Sequence, residues 1–179
     1  MSGIISDNQG RSTGLIKAAG GGKLLQIIQG EKTDTASWTG TIAQTDTGLT
    51  ASITPSATSS KILIQWLLNI GYGGSKYQYA IHLDRDGTEI SKADASTDRK
   101  LSHAQRGFDA DHMITSMTDS MSGVFLDSPS STSSLTYKLR HTHINDGATF
   151  YINRSHDDRQ STTYDSRNVS NLILIEIGA

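Results

Sequence analysis

The feature that most constrains this fold is the alternation of apolar and polar side chains over several short segments. The alternation is strict from Leu49 to Thr54, and it recurs from Tyr77 to Leu83 and from Leu135 to Arg140. A period of two is that of a half-buried β-strand, because successive side chains point to opposite faces of a sheet. Turn residues separate the segments by about 8–12 residues, which predicts an all-β antiparallel sandwich or barrel rather than a βαβ fold.

Two further segments are almost continuously apolar and predict strands inside a sheet. Lys61 to Ile70 is the strongest run, and Leu172 to Ile177 is expected to be a buried closing strand. A buried helix is the alternative for the first run, and the glycine-rich segment 71–74 directly after it disfavours that alternative. Asp84 to Gly87 predicts a hairpin turn in which the glycine takes a positive φ. The calcium loop that this turn superficially resembles is incomplete.

Composition and charge argue against several classes of function. Ser and Thr supply 24 and 20 of the 179 residues, which favours twisted strands joined by polar turns. A net charge of −2 gives no electrostatic support for binding nucleic acid. The chain has no cysteine, so it can form neither disulfides nor thiolate metal sites. No apolar run approaches the ~20 residues of a membrane span. No signal peptide is visible, so we expect synthesis in the cytoplasm.

Residues 1–35 have a different pattern of apolar residues from the rest of the chain. Short apolar patches alternate there with glycine and polar residues, and the run Gly20 to Gly22 would break a helix. Because such a segment makes a poor core by itself, we expect an extended arm over residues 1–35 that docks on another surface, followed by a body over residues 36–179. A frayed terminus with one or two strands is the alternative. The residues expected to anchor the arm are apolar: Ile4, Ile5, Leu15, Ile16, Leu24, Leu25, Ile27 and Ile28.

Candidate ligand-binding side chains occur in two settings. His141 and His143 are two apart on a predicted strand, so they share one face and could offer two nitrogens to a metal. No third ligand is fixed nearby, and two solvated histidines are the preferred interpretation. The polar segments 91–110 and 153–168 are predicted as long surface loops, where binding residues often lie. The side chains expected to face a receptor are Tyr72, Arg106, Phe108, His156 and Arg159.

No catalytic or cofactor-binding motif can be identified. The Gly-x-Ser-x-Gly elbow of hydrolases is absent from the sequence, and no pair of carboxylates stands out for glycoside cleavage. Gly20 to Lys23 lacks the spacing of a phosphate-binding loop and the Ser or Thr that should follow its lysine. We therefore expect a protein that is not an enzyme and that carries no metal or cofactor.

Several strings of the chain resemble segments of structural proteins of marine tailed phages. The order of the strings carries the resemblance, and it covers most of residues 36–179 apart from the loop near 91–110. Gly10 to Lys17 also resembles leader segments on such proteins. The strings of the body are Thr50 to Ile64, Leu126 to Pro129 followed by Leu135 to Leu139, Phe150 to Ser155, and Leu172 to Ile177.

This resemblance implies a jelly-roll domain like the globular heads of the complement and tumour-necrosis-factor group. Such heads usually form trimers in fibre tips, head-surface projections and adaptor proteins. In a trimer, facing protomers share a core and close one another's sheet edges, which suits the low apolar content of 35%. The expectation is an antiparallel jelly-roll sandwich with an extended N-terminal arm, a homotrimer in contact with capsid, tail or fibre-base proteins of a virion.

Two classes of function remain after these exclusions. In the first, the body is a surface decoration, fibre or adaptor protein of the particle. In the second, it is the tip module of a tail fibre that binds a host surface glycan or protein. A secreted bacterial lectin is a third alternative, disfavoured by the missing signal peptide.

Overall fold

The computed structural model describes residues 22–40, 42–73, 76–94, 101–109, 115–144, 149–160 and 163–178. These residues contain no helix, and therefore none that could span a membrane. The all-β prediction is confirmed. The strands are β1 (Leu24–Lys32), β2 (Ala36–Thr39), β3 (Ile42–Ile53), β4 (Lys61–Gly73), β5 (Lys76–Arg85), β6 (Thr88–Ile90), β7 (Ala104–Asp109), β8 (Asp119–Asp127), β9 (Leu135–Ile144), β10 (Thr149–Ile152) and β11 (Ser170–Ile177).

Two antiparallel sheets form the sandwich. In sheet A, the long strand β4 pairs along one edge first with β11 and then with β10, and along its other edge with β8. Strand β1 lies outside β11, and β2 lies outside β10. In sheet B the order is β3-β9-β5, with β6 and β7 both along the far edge of β5. The orders β1-β11-β4-β8 and β3-β9-β5-β7 are those of a jelly roll, so that prediction is confirmed as well.

The core lies between the sheets and uses alternate residues of each strand. On β4 the even-numbered residues from Ile62 to Tyr72 are buried, and they face β9 residues such as Tyr137 and Leu139. Leu49, Ala51 and Ile53 are buried as their alternation predicts. The apolar runs behave differently from the expectation of full burial. On β11 the even-numbered positions are buried and the odd-numbered ones only half-buried, because the run has apolar side chains on both faces.

The first strand lies inside the segment that was predicted to be an arm. Residues of β1 pair with the closing strand, for example Ile27 with Ile175, and Ile28 packs against the core. Residues 24–32 are thus part of sheet A, and the body starts earlier than the predicted boundary at residue 35. Ile4, Ile5, Leu15 and Ile16 lie outside the described residues, so their anchoring role stays a prediction.

The connections of sheet B give one confirmation and one correction. The hairpin at Asp84 to Gly87 is confirmed, with positive φ at Asp86 (50°) and Gly87 (86°), which suits a tight antiparallel turn. The loop predicted over 91–110 is wrong in its second half, since β7 occupies Ala104–Asp109 and pairs with β5. The sequence AQRGFD has no apolar alternation, so the pairing with β5 and not the periodicity makes it a strand.

Candidate functional site

The outer face of sheet A carries a row of four apolar side chains. Ile27, Ile175, Leu63 and Leu126 are directly opposed in the register of β1, β11, β4 and β8. Directly opposed residues point to the same face of a sheet, and here that face is the outer one. Ile27 is 56% exposed and Leu126 is 46% exposed, at the two ends of the row. The row is therefore open to solvent in the isolated chain.

Two parallel rows extend this face along the strands. The second row is Gln29, Ile173, Gln65 and Val124, and the third is Glu31, Asn171, Leu67 and Ser122. Val124 is 60% exposed, and a shallow depression lies between β4 and β11 beside Leu67 and Ile173. We call these three rows of twelve residues the apolar face. Seven of the twelve are Ile, Leu or Val, and three of the five polar ones are neutral amides.

The chain covers another part of the same outer surface with its own residues. Beyond β10, Arg154 lies over the ring of Tyr151 at 4.2 Å, and its carbonyl oxygen lies so close to Gly71 that a Cβ there would be 2.2 Å away. The imidazole of His156 likewise occupies the space that a side chain at residue 73 would need. The glycines after the apolar run thus allow a loop to pack on the sheet. The apolar face lacks such a cover among the described residues.

The outer face of sheet B is polar and internally paired. His82 contacts Glu89 at 2.6 Å and Thr142 at 2.8 Å. Asp46 accepts from Lys138 at 2.9 Å and lies 3.1 Å from the guanidinium of Arg140. Of the large apolar side chains that are exposed in the described ranges, none lies on β3, β5, β6 or β9. The two outer faces therefore differ in character, and the apolar face is the candidate interaction surface.

The histidine pair points into the sandwich and not to solvent. His141 and His143 share one face as predicted, but they are 0% and 1% exposed, so the interpretation as solvated histidines is wrong. The ring of His141 packs 4.5 Å from Trp38 and 4.6 Å from Phe150. Burial, and secondarily the neighbouring His143 and His82, lower the pKa of His141 to about 3. Groups of three or more potential metal ligands are absent from the residues that the structure describes.

Of the five predicted receptor-facing residues, the four whose side chains are described are engaged within the chain, and a role in receptor binding stays a prediction. Tyr72 was expected to be exposed, but it is only 7% exposed, because the even-numbered side chains of β4 point into the core. Its hydroxyl lies 3.2 Å from that of Tyr79. Arg106 on β7 pairs with Asp119 at 2.6 Å. His156 packs against β4, and the side chain of Phe108 lies outside the described residues. Arg159 pairs with Asp165 at 2.7 Å and is thereby engaged within the chain.

The segment after β10 is held by ion pairs and hydrogen bonds that the sequence did not reveal. Arg167 pairs with Asp158 at 2.6 Å, and the Ser155 hydroxyl donates to Asp165. At its start, Asn153 adopts φ 60° and its side-chain amide donates to the carbonyl oxygens of Lys32 and Asp34. Only alternating acidic and basic residues could have indicated this network, and their pairing depends on the loop conformation.

Comparisons with known proteins give weak structural neighbours from viral particles. No protein-family model matches the chain, and no curated protein matches it. The VP2 subviral particle of infectious bursal disease virus is 12% identical, with a TM-score of 0.34, over 85% of this chain and 41% of that one. A structure of the Gx strain of the same virus is 13% identical, with a TM-score of 0.35, over 87% of this chain and 43% of that one. This chain spans about two fifths of the length of either.

Proposed function

We propose that this chain is a structural component of a tailed-phage virion. It is a trimeric surface decoration, fibre or adaptor protein, made in the host cytoplasm, without catalytic activity. The N-terminal residues anchor it to other virion proteins, and the jelly-roll body forms the particle surface. It uses neither cofactor nor nucleic acid nor membrane.

The observation that carries this proposal is the apolar face on one side of a jelly roll whose other side is polar. A face with several exposed Ile, Leu and Val side chains marks a protein contact and not a free surface. It suits a domain that works in an assembly. The sequence resemblance to phage structural proteins adds the kind of assembly.

The test is to measure this chain in purified particles of the phage that encodes it. Quantitative mass spectrometry of banded particles should find it as a virion protein. Many copies per particle would support a decoration role, and few copies would support a fibre tip or adaptor. Absence of the chain from purified particles would refute the proposal.

A second candidate function, receptor binding, rests on the segment after β10. Tyr164 is 60% exposed there, and the guanidinium of Arg159 lies 5.2 Å from its ring centre. Exposed aromatic rings on an ordered loop can stack on sugars. Loss of adsorption to host cells in a phage carrying Tyr164→Ala, with normal particle assembly, would favour this alternative.

A further inference from the structure

We infer that the apolar face is the surface through which copies of this chain contact one another. The inference rests on the proposed function and deepens it, because it names the surface that joins the copies of an oligomeric virion protein. The occupant of the face is a second copy of the chain. The polar outer face of sheet B then remains in solvent.

The first argument is the contrast between covered and uncovered parts of one sheet surface. At the β10 end, two glycines allow a long loop to pack over Tyr151, which is 8% exposed. At the β11 end, Ile27, Val124 and Leu126 stay open. Strands with apolar side chains on both faces are typical of sheets that are covered on both faces. The apolar side chains at the outward positions therefore indicate a cover that the described residues do not supply.

The second argument is that the face carries no surplus of one charge that would repel another copy of the chain. Its polar members are Gln29, Gln65, Asn171 and Ser122, whose amide and hydroxyl groups both donate and accept hydrogen bonds. Glu31 is the one charged residue among the twelve, and Lys61 lies at the opposite end of the strands. Charges of both signs thus border the face. A face of one charge sign would repel its own copy.

The third argument is size. Strands lie about 4.8 Å apart and alternate residues about 6.8 Å apart, so three rows on four strands form a patch roughly 20 Å on a side with its side chains, about 400 Å². That is about half of the ~800 Å² per partner of a standard interface. It is enough for the apolar centre of a contact, and the exposed Leu24 and Leu25 at the start of β1 are placed to extend it.

Single cysteines test the contact, because the chain has no cysteine of its own. Val124→Cys places a thiol on the apolar face with little change in volume, and Thr50→Cys places one on the outer face of sheet B as the matched control. A short bis-maleimide should link Val124→Cys into covalent oligomers under native conditions and leave Thr50→Cys monomeric on a denaturing gel. Equal cross-linking of both variants, or none at residue 124, would overturn the inference.

Charge substitutions give the energetic counterpart. Sedimentation velocity of the full chain should show a wild-type oligomer of the 19.3 kDa protomer. Val124→Asp should raise its dissociation constant by about 30-fold or more, because it places an unpaired carboxylate in the contact, whereas Thr50→Asp should change it little. Circular dichroism melting checks that both variants stay folded. A wild-type monomer at every concentration, or equal association of both variants, would refute the contact. Neither result bears on whether the chain is present in purified particles, and that measurement tests the proposed function separately.

Discussion

Acid should destabilise this fold through His141, whose imidazole is fully buried between the sheets. Both of its ring nitrogens are buried and lack a hydrogen-bond partner among the described residues. The titratable groups that act on it are His143 on the same strand and His82 on the other face of sheet B, and both disfavour a second positive charge. Burial is the largest cause of its lowered pKa. The folded protein therefore holds His141 neutral at pH values where the unfolded chain binds a proton.

The magnitude follows from the two pKa values. The pKa of His141 falls from an ordinary 6.5 to about 3 in the folded state. Between these values the unfolded state binds more protons, so stability is fully present above pH 6.5 and is lost as the pH falls towards 3. At pH 5 the difference of about 1.5 pH units from 6.5 corresponds to about 2 kcal/mol, at ~1.36 kcal/mol per unit.

The assay is urea unfolding at pH 8 and pH 5 for the wild type, His141→Leu and a control, His156→Gln. The free energy of unfolding should drop between the two pH values by about 2 kcal/mol less in His141→Leu than in the wild type. The control shows whether loss of any histidine has this effect, because the side chain of His156 is 40% exposed and lies outside the sandwich. Other acid-sensitive groups are common to all three proteins and cancel in the comparison. An equal drop in the wild type and His141→Leu would refute the reasoning.

Three further predictions follow from other parts of the structure. Asn153→Ala should lower the free energy of unfolding by about 3 kcal/mol, since it removes the buried side-chain hydrogen bonds to Lys32, Asp34 and Ser170. Thermal melting checks this prediction, and a loss below about 1 kcal/mol would contradict it. Glu176 should titrate near pH 2 by NMR, because hydrogen bonds from Gln26 and Ser56 outweigh the effect of burial, which alone would raise its pKa, and hold the pKa at about 2. The stabilising effect of Glu176 is therefore lost as the pH falls below about 4.5, and an ordinary titration near 4.5 would disprove the network. Deletion of residues 1–21 should leave the melting temperature unchanged and abolish joining to particles. Deletion of residues 1–30 removes most of β1 and should also lower the melting temperature. An equal effect of both deletions on the melting temperature would argue against a body that begins at β1.

The sequence and the structure agree best where local periodicity and burial coincide. Leu49, Ala51 and Ile53 show strict alternation and are all buried. The hairpin at Gly87 follows from residues that tolerate a positive φ, which is a property of the residue itself. Strand β7 could not be predicted, because its residues lack the pattern and gain their extended form from pairing with β5.

The sequence by itself determined most of the strands, the hairpin at Gly87 and the all-β class, because these depend on neighbours within a few residues. It also determined that β4 and β11 have apolar side chains on both faces. Only the tertiary structure decided which face is inside. Tyr72 and His141 turned inward and Val124 turned outward because pairing register assigns every second residue to one face, and a shift of one residue would exchange them. The apolar face exists for the same reason: the register aligns Ile27, Ile175, Leu63 and Leu126 from four distant parts of the chain into one row.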